Sequence, residues 1–235
     1  MSDKTQAAVC PICEGALALW DAQGQRMIPC ECQRDVIAAK RLRKLAVASS
    51  LLPEMESLSL ATFDPAIDPP ALEAVVDWVE GHDLPWLFLT GNVGTGKTHL
   101  LAGATNALLA RKRMALYVVV PDLLDYIRAG FGSLMTNRFT SDDASARLDM
   151  VRDVDWLILD ELGKEYQTDF AYQQMFSLLD YRYRRRARTL FASNQQPTTL
   201  PDYLLSRVGD RAVCKIVQMA NIADYRLLPP EERYR

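Results

Sequence analysis

From residue 86 onward, short continuous apolar runs alternate with longer stretches whose apolar positions recur at helical spacing. The runs at 86–90, 115–120, 156–160, 189–192 and 214–219 predict strands, and the stretches at 98–111, 122–129, 170–184 and 200–207 predict helices. Trp156-Leu157-Ile158-Leu159 reaches Asp160 without a polar interruption, as expected of a strand buried on both faces. Five strands separated by helices predict a parallel sheet in a three-layer α/β arrangement.

Upstream the pattern changes. Pro53, Pro65, Pro69 and Pro70 punctuate a loop-rich entry, interrupted by a helical stretch at 71–80. Residues 33–50 are helix-forming, with Val36, Ile37, Leu42, Leu45 and Val47 available to pack. Before them, Cys10-Pro11-Ile12-Cys13 and Cys30-Glu31-Cys32 flank a predicted hairpin of strands at 16–20 and 26–29. The expected organisation is a small ribbon at 1–32, a helical linker at 33–52 and an α/β domain at 53–235.

Composition narrows the class. Hydrophobic residues make up 49% of the 235, enough for a real core. The opening residues lack the apolar region of a secretory signal, and no apolar run approaches the ~20 residues that span a bilayer. A soluble, cytoplasmic protein without a membrane partner is expected. The net charge of -3 argues against indiscriminate coating of nucleic acid. Two basic clusters stand out nonetheless, Arg34 to Lys44 and Arg182 to Arg188. Most of the second is expected to cap a helix end and stay solvated.

Four of the five cysteines fall within the first 32 residues. Clustered thiols in a chain without an export signal suit metal better than disulfides. Cys10, Cys13, Cys30 and Cys32 can converge across the hairpin as a tetrahedral Zn2+ site, although the second pair is CxC where a ribbon ordinarily repeats CxxC. Cys214 reads as a buried small hydrophobe.

The strongest motif is Gly91-Asn92-Val93-Gly94-Thr95-Gly96-Lys97-Thr98, a GxxxxGK[ST] sequence between a predicted strand and a predicted helix. Its glycines let backbone N–H groups curl around phosphate oxygens, and the helix N-terminus favours negative charge. ATP is the expected ligand, with Lys97 reaching the β- and γ-phosphates and Thr98 ligating Mg2+. Asp160 and Glu161 end the apolar strand at 156–160, at the sheet edge where α/β ligands bind. Asp160 is expected to hold Mg2+ and Glu161 to orient or activate water for hydrolysis. Asn194, after the fourth strand, can reach the γ-phosphate or that water. Arg207 and Arg211, in Ser206-Arg207-Val208-Gly209-Asp210-Arg211, are the candidates for an arginine finger given to a neighbouring subunit.

Taken together and in this order, these elements resemble the AAA+ helicase loaders of the DnaC/DnaI type. Lys97-Thr98-His99-Leu100, Val120-Pro121-Asp122-Leu123-Leu124 and the SRVGDR block are similar to that family in particular. The resemblance implies a P-loop AAA+ core without the helical lid that usually follows, preceded by a zinc ribbon. It further implies a hexameric replicative helicase of the DnaB type and single-stranded DNA as partners, and self-association through the ATPase domain. Arg211 is the favoured finger, with Arg207 beside it, and Tyr166, Thr168 and Phe170 correspond to positions that touch DNA. An IstB-like helper of a transposase carries the same core, and a zinc-bearing adaptor with ATP as a structural ligand is a third reading.

Overall fold

The computed structural model describes residues 10–33, 36–37, 48–134, 144–163 and 168–219. The basic cluster from Arg34 to Lys44, most of the expected linker, Tyr166 and the stretch after Met219 lie outside the described residues. The chain divides into two compact units, Met1–Val47 and Ala48–Arg235.

In the first unit β1 (Ala18–Asp21) and β2 (Arg26–Pro29) form an antiparallel hairpin that pairs Ala18 with Pro29 and Trp20 with Met27. Asp21 accepts the Gln23 amide at 3.1 Å and shapes the turn. Trp20, Met27 and Leu17 are exposed, whereas Cys13 and Cys30 are buried. Among the described residues 10–33 the buried side chains are those of Cys13 and Cys30, so the centre of the hairpin is sulfur.

The second unit holds a five-stranded parallel sheet of order β4-β5-β6-β3-β7. The strands are β3 (Trp86–Gly91), β4 (Ala115–Val119), β5 (Trp156–Asp160), β6 (Arg188–Ser193) and β7 (Cys214–Met219). Between and before them run α1 (Pro69–Glu80), α2 (Lys97–Ala110), α3 (Val120–Leu134), α4 (Ala144–Arg152), α5 (Asp169–Arg184) and α6 (Asp202–Val208). The five-strand expectation and the three-layer class hold. Leu87, Leu89, Tyr117, Ile158, Leu190 and Ala192 turn to one face and pack with Trp78 of α1 and Leu100 and Leu101 of α2. Trp86 and Phe191 turn to the other face, where Trp86 meets Tyr183 of α5 edge-on at 5.8 Å. This alternation of period two is why the apolar runs are unbroken.

The observed helix starts have local causes. Asp68 caps α1 by accepting the Ala71 amide at 3.0 Å, with proline in the first turn where no N–H is needed. The helix expected at 200–207 begins only at Asp202, because Pro201 forces Leu200 into an extended conformation (φ -71°, ψ 152°). Helix α4 was not foreseen, and its polar, weakly periodic sequence explains that. Ahead of the sheet, Asn106 of α2 donates to the carbonyls of Met55 and Leu58 at 2.9 and 2.7 Å, holding the proline-rich entry against the helix. Gly103 permits the approach, since a Cβ there would stand 2.9 Å from the backbone of Ser59 and Leu60. Ser50 covers part of the free edge of β4, donating its amide to Tyr117 O and accepting Val119 N.

Candidate nucleotide site and thiolate cluster

Because the strands are parallel, the carboxyl ends of β3 and β5 open on one edge of the sheet, with the end of β6 between them. β3 leads into the P-loop and α2 leaves it. Gly96 sits at the N-cap with φ 88°, and any side chain there would collide with Phe63, whose ring would lie 2.7 Å from a Cβ. Phe63 and the edge-on ring of His99 thus pack the entry segment against the loop. His99 also meets Ser59 O at 3.0 Å, so it is a packing residue of this segment.

Lys97 is buried at 7% exposure, and its Nζ donates to Gly91 O (2.8 Å) and Asn92 O (2.6 Å). The ammonium therefore lies folded into the loop rather than facing solvent. Asn92 and Val93 are exposed at the tip, and Thr95 ties the loop back by donating to Asn92 O at 3.0 Å.

Thr98 Oγ1 donates to Asp160 Oδ2 at 2.8 Å, bringing the ends of both motifs together. Asp160 is itself buried, and its carboxylate takes two further donors. The Tyr117 hydroxyl reaches Oδ2 at 2.8 Å, and the Glu161 amide reaches Oδ1 at 2.8 Å. Thr98 and Asp160 present hard oxygen donors side by side, a set that suits Mg2+. Burial, followed by the Asp160 charge, holds the Tyr117 phenol far above its ordinary pKa, so it is a permanent donor. Tyr117 was not legible as a site residue, because a tyrosine in an apolar strand carries no motif.

Glu161 follows in a left-handed backbone conformation, φ 59°. The loop it opens is laced to the end of β6: Ser193 Oγ donates to Leu162 O at 2.6 Å, and Gln195 Nε2 to Gly163 O at 2.8 Å. Thr90 of β3 donates to Gln195 O at 2.7 Å, so this lacing also reaches the strand before the P-loop. Asn194, one residue beyond β6, is exposed between Ser193 and Gln195.

The two candidate arginines differ sharply. Arg207 is largely buried, pairs with Asp180 at 2.5 Å, bonds Tyr203 O and lies over the rings of Phe176 and Tyr183. It is occupied within its own chain. Arg211 is exposed, on a turn anchored to α5 by the Tyr183 hydroxyl donating to Asp210 Oδ2 at 2.6 Å. That hydroxyl, with the Ala212 amide, holds the Asp210 carboxyl below its usual range.

At the start of α5, Thr168 is the N-cap and accepts the Ala171 amide at 3.2 Å. Phe170 carries the Arg128 guanidinium over its ring at 5.0 Å. In the arginine run at the other end of α5, Arg184, Arg185 and Arg186 are exposed as expected, and Arg182 is the exception. Arg182 is fully buried, donating to the carbonyls of Arg152 (2.8 Å), Val154 (2.7 Å) and Arg188 (2.7 Å) and to Thr189 Oγ1 (3.0 Å). Burial lowers its pKa to about 9, which leaves it charged at neutral pH.

In the first unit the sulfurs of Cys10, Cys13, Cys30 and Cys32 lie within 4.8 Å of one another. Cys10 and Cys30 are 3.9 Å apart, Cys13 and Cys32 3.6 Å. Four Zn–S bonds of about 2.3 Å at tetrahedral angles separate sulfurs by about 3.8 Å, so the donors fit zinc. The CxC pair reaches the cluster because Glu31–Gln33 forms a 3-10 turn after β2. Cys214 lies buried in β7, in the other unit, and burial lifts its thiol to about 12.

Comparison with known proteins adds relatives to this geometry. Residues 70–215 match the bacterial DnaA ATPase domain. The uncharacterised protein YqaM of Bacillus subtilis is 31% identical over 180 residues, covering 70% of this chain and 53% of YqaM. The replicative helicase loader DnaC of Escherichia coli is 30% identical over 138 residues, covering 58% of this chain and 53% of DnaC. The chain thus spans about half the length of the curated relatives it matches. Among solved structures, AMPPCP-bound DnaA from Aquifex aeolicus superposes with a TM-score of 0.59 at 25% identity, covering 73% of this chain and 51% of that one. The match to the DnaA ATPase domain, at 70–215, runs from α1 into β7 and takes in the P-loop, the acidic pair and Arg211. On that extent the chain belongs to the family of the bacterial DnaA ATPase domain.

Proposed function

We propose that this chain is an ATP-hydrolysing loader that binds a hexameric replicative helicase of the DnaB type and delivers it to single-stranded DNA in the cytoplasm. The observation that carries the ATPase part is the contact of Thr98 with Asp160 at 2.8 Å, with Glu161 as the next residue. It supports one site that grips phosphate, holds a divalent cation and presents a carboxylate to water. The loader part rests on kinship with DnaC.

In this reading the backbone amides of 91–96 and the ammonium of Lys97 hold the phosphates, the latter by exchanging its bonds to Gly91 O and Asn92 O for phosphate oxygens. Thr98 and Asp160 hold Mg2+, which when bound offsets charge on the β- and γ-phosphates. Glu161 orients or activates water, and Asn194 contacts the γ-phosphate or that water. Arg211 completes the site of a neighbouring copy, Arg207 being committed to Asp180. Thr168 and Phe170, with Arg128 over the Phe170 ring, form the DNA-facing start of α5. Cys10, Cys13, Cys30 and Cys32 hold Zn2+ and give the first unit a rigid surface for the helicase.

Co-purification with the DnaB-type helicase of the host, with and without ATP, tests the reading. Nucleotide-dependent association and ATP turnover are expected. Neither association nor turnover under any nucleotide condition overturns it.

A further inference from the structure

Asp160 is more tightly held than the P-loop and its acidic pair require. Its Oδ2 accepts two hydroxyls, from Thr98 and Tyr117, and its Oδ1 accepts the Glu161 amide, each at 2.8 Å. A carboxylate offers about four lone-pair positions, so three donors from three directions fix its plane and leave one position open. Tyr117 is 1% exposed on β4, and its own strand is held in place by Ser49 Oγ and Ser50 N donating to its carbonyl at 3.2 and 3.0 Å. The phenol comes from the neighbouring strand, across the ladder that pairs Tyr117 with Ile158 and Val119 with Asp160.

We infer that Tyr117 is a positioning residue for the Mg2+ site: its hydroxyl holds Asp160 Oδ2 in the orientation that Thr98 and the cation require. The inference rests on the ATP-site reading above. A hydrogen bond to a buried carboxylate restrains it strongly, because the apolar surroundings provide no water to replace a lost donor. Such outer partners of a metal ligand typically change metal affinity by about tenfold or more when removed. Tyr117→Phe deletes the hydroxyl and keeps the ring that packs with Leu87, Leu89 and Ile158.

The test is the Mg2+ dependence of ATP binding, measured by calorimetry for the wild type, Tyr117→Phe, Asp160→Asn and the double variant. Thermal melting of each serves as the folding control. In Tyr117→Phe the half-saturating Mg2+ concentration is expected to rise about tenfold. ATP affinity without Mg2+ should stay unchanged, since Lys97 and the loop amides are untouched. Adding Tyr117→Phe to Asp160→Asn should then shift the Mg2+ dependence no further. Equal Mg2+ dependence in wild type and Tyr117→Phe overturns the inference. So does a loss of ATP affinity of the same size with and without Mg2+, which marks a merely structural tyrosine. A folded wild type that binds no ATP overturns the ATP-site reading and this inference with it.

Discussion

Glu161 combines two demands in one residue. Its side chain is the candidate for handling water, and its backbone at φ 59° is in a region that costs a residue with a Cβ about 1 kcal/mol. The consequences separate cleanly by substitution. Glu161→Gln should bind ATP as the wild type does and fail to turn it over, because Asp160 is untouched. Glu161→Gly should also lose turnover yet melt no lower than Glu161→Gln, since glycine relaxes the left-handed turn. A glycine variant melting several degrees below the glutamine variant would show that the turn is not strained. Lys97→Ala should lose nearly all ATP affinity in calorimetry. At this scale the sequence pointed to motif residues that the fold brings together, Thr98 and Asp160 among them, and was a poor guide to their partners. Tyr117, Ser193 and Gln195 meet the motif residues through hydrogen bonds between positions far apart in the chain, and such bonds leave no spacing in the chain to read.

At the scale of elements, the end of α5 shows why a run of like charges misleads. Arg182 belongs to the basic run by composition, but by position it continues the buried stripe of Ala171, Met175, Leu178 and Leu179. Its guanidinium gathers the end of α4, the approach to β5 and the start of β6 onto one helix. Periodicity was therefore a better guide than charge. Arg182→Met should lower stability by roughly 3 kcal/mol or more, because it leaves several buried carbonyls without donors. Arg182→Lys should recover little, since an ammonium cannot reach acceptors spread over a planar fork. Chemical denaturation of both variants checks this, with Arg184→Ala near neutral, its ion pair with Asp180 being largely exposed on the arginine side. The cysteine hairpin was legible for the opposite reason, because the two thiol pairs flank strands whose antiparallel pairing brings the four sulfurs together. About one zinc per chain should co-purify by elemental analysis. Cys30→Ser should lose it and Cys214→Ser keep it, because Cys214 lies in β7.

For the whole molecule, the alternation of apolar runs with helical stretches was enough to read a parallel sheet, but not the order in which its strands lie. Strand order is set by pairing between residues far apart, and each apolar strand fits several neighbours equally well. The exposure of Arg211 bears on assembly. If it completes a neighbour's site, Arg211→Ala should bind ATP normally and hydrolyse it poorly. Mixed with Glu161→Gln, it should regain activity, because some interfaces then join an intact P-loop to an intact arginine. Finger contributions of ~10³-fold make such recovery measurable under conditions where the wild type assembles. A mixture no more active than its components would show that Arg211 does not act across an interface.

The place of β3 between β6 and β7 has a consequence for how the protein is made. Trp86 pairs with Thr189 on one side and Cys214 on the other, so the strand that leads into the P-loop emerges from the ribosome long before either neighbour exists. Until then two apolar edges stand open, while β4 and β5 can already pair with each other. Contacts of such long range close slowly. Synthesis that stalls before Arg188 would leave a nascent chain with a complete P-loop sequence and neither partner strand of β3 to hold it, a natural client for chaperones.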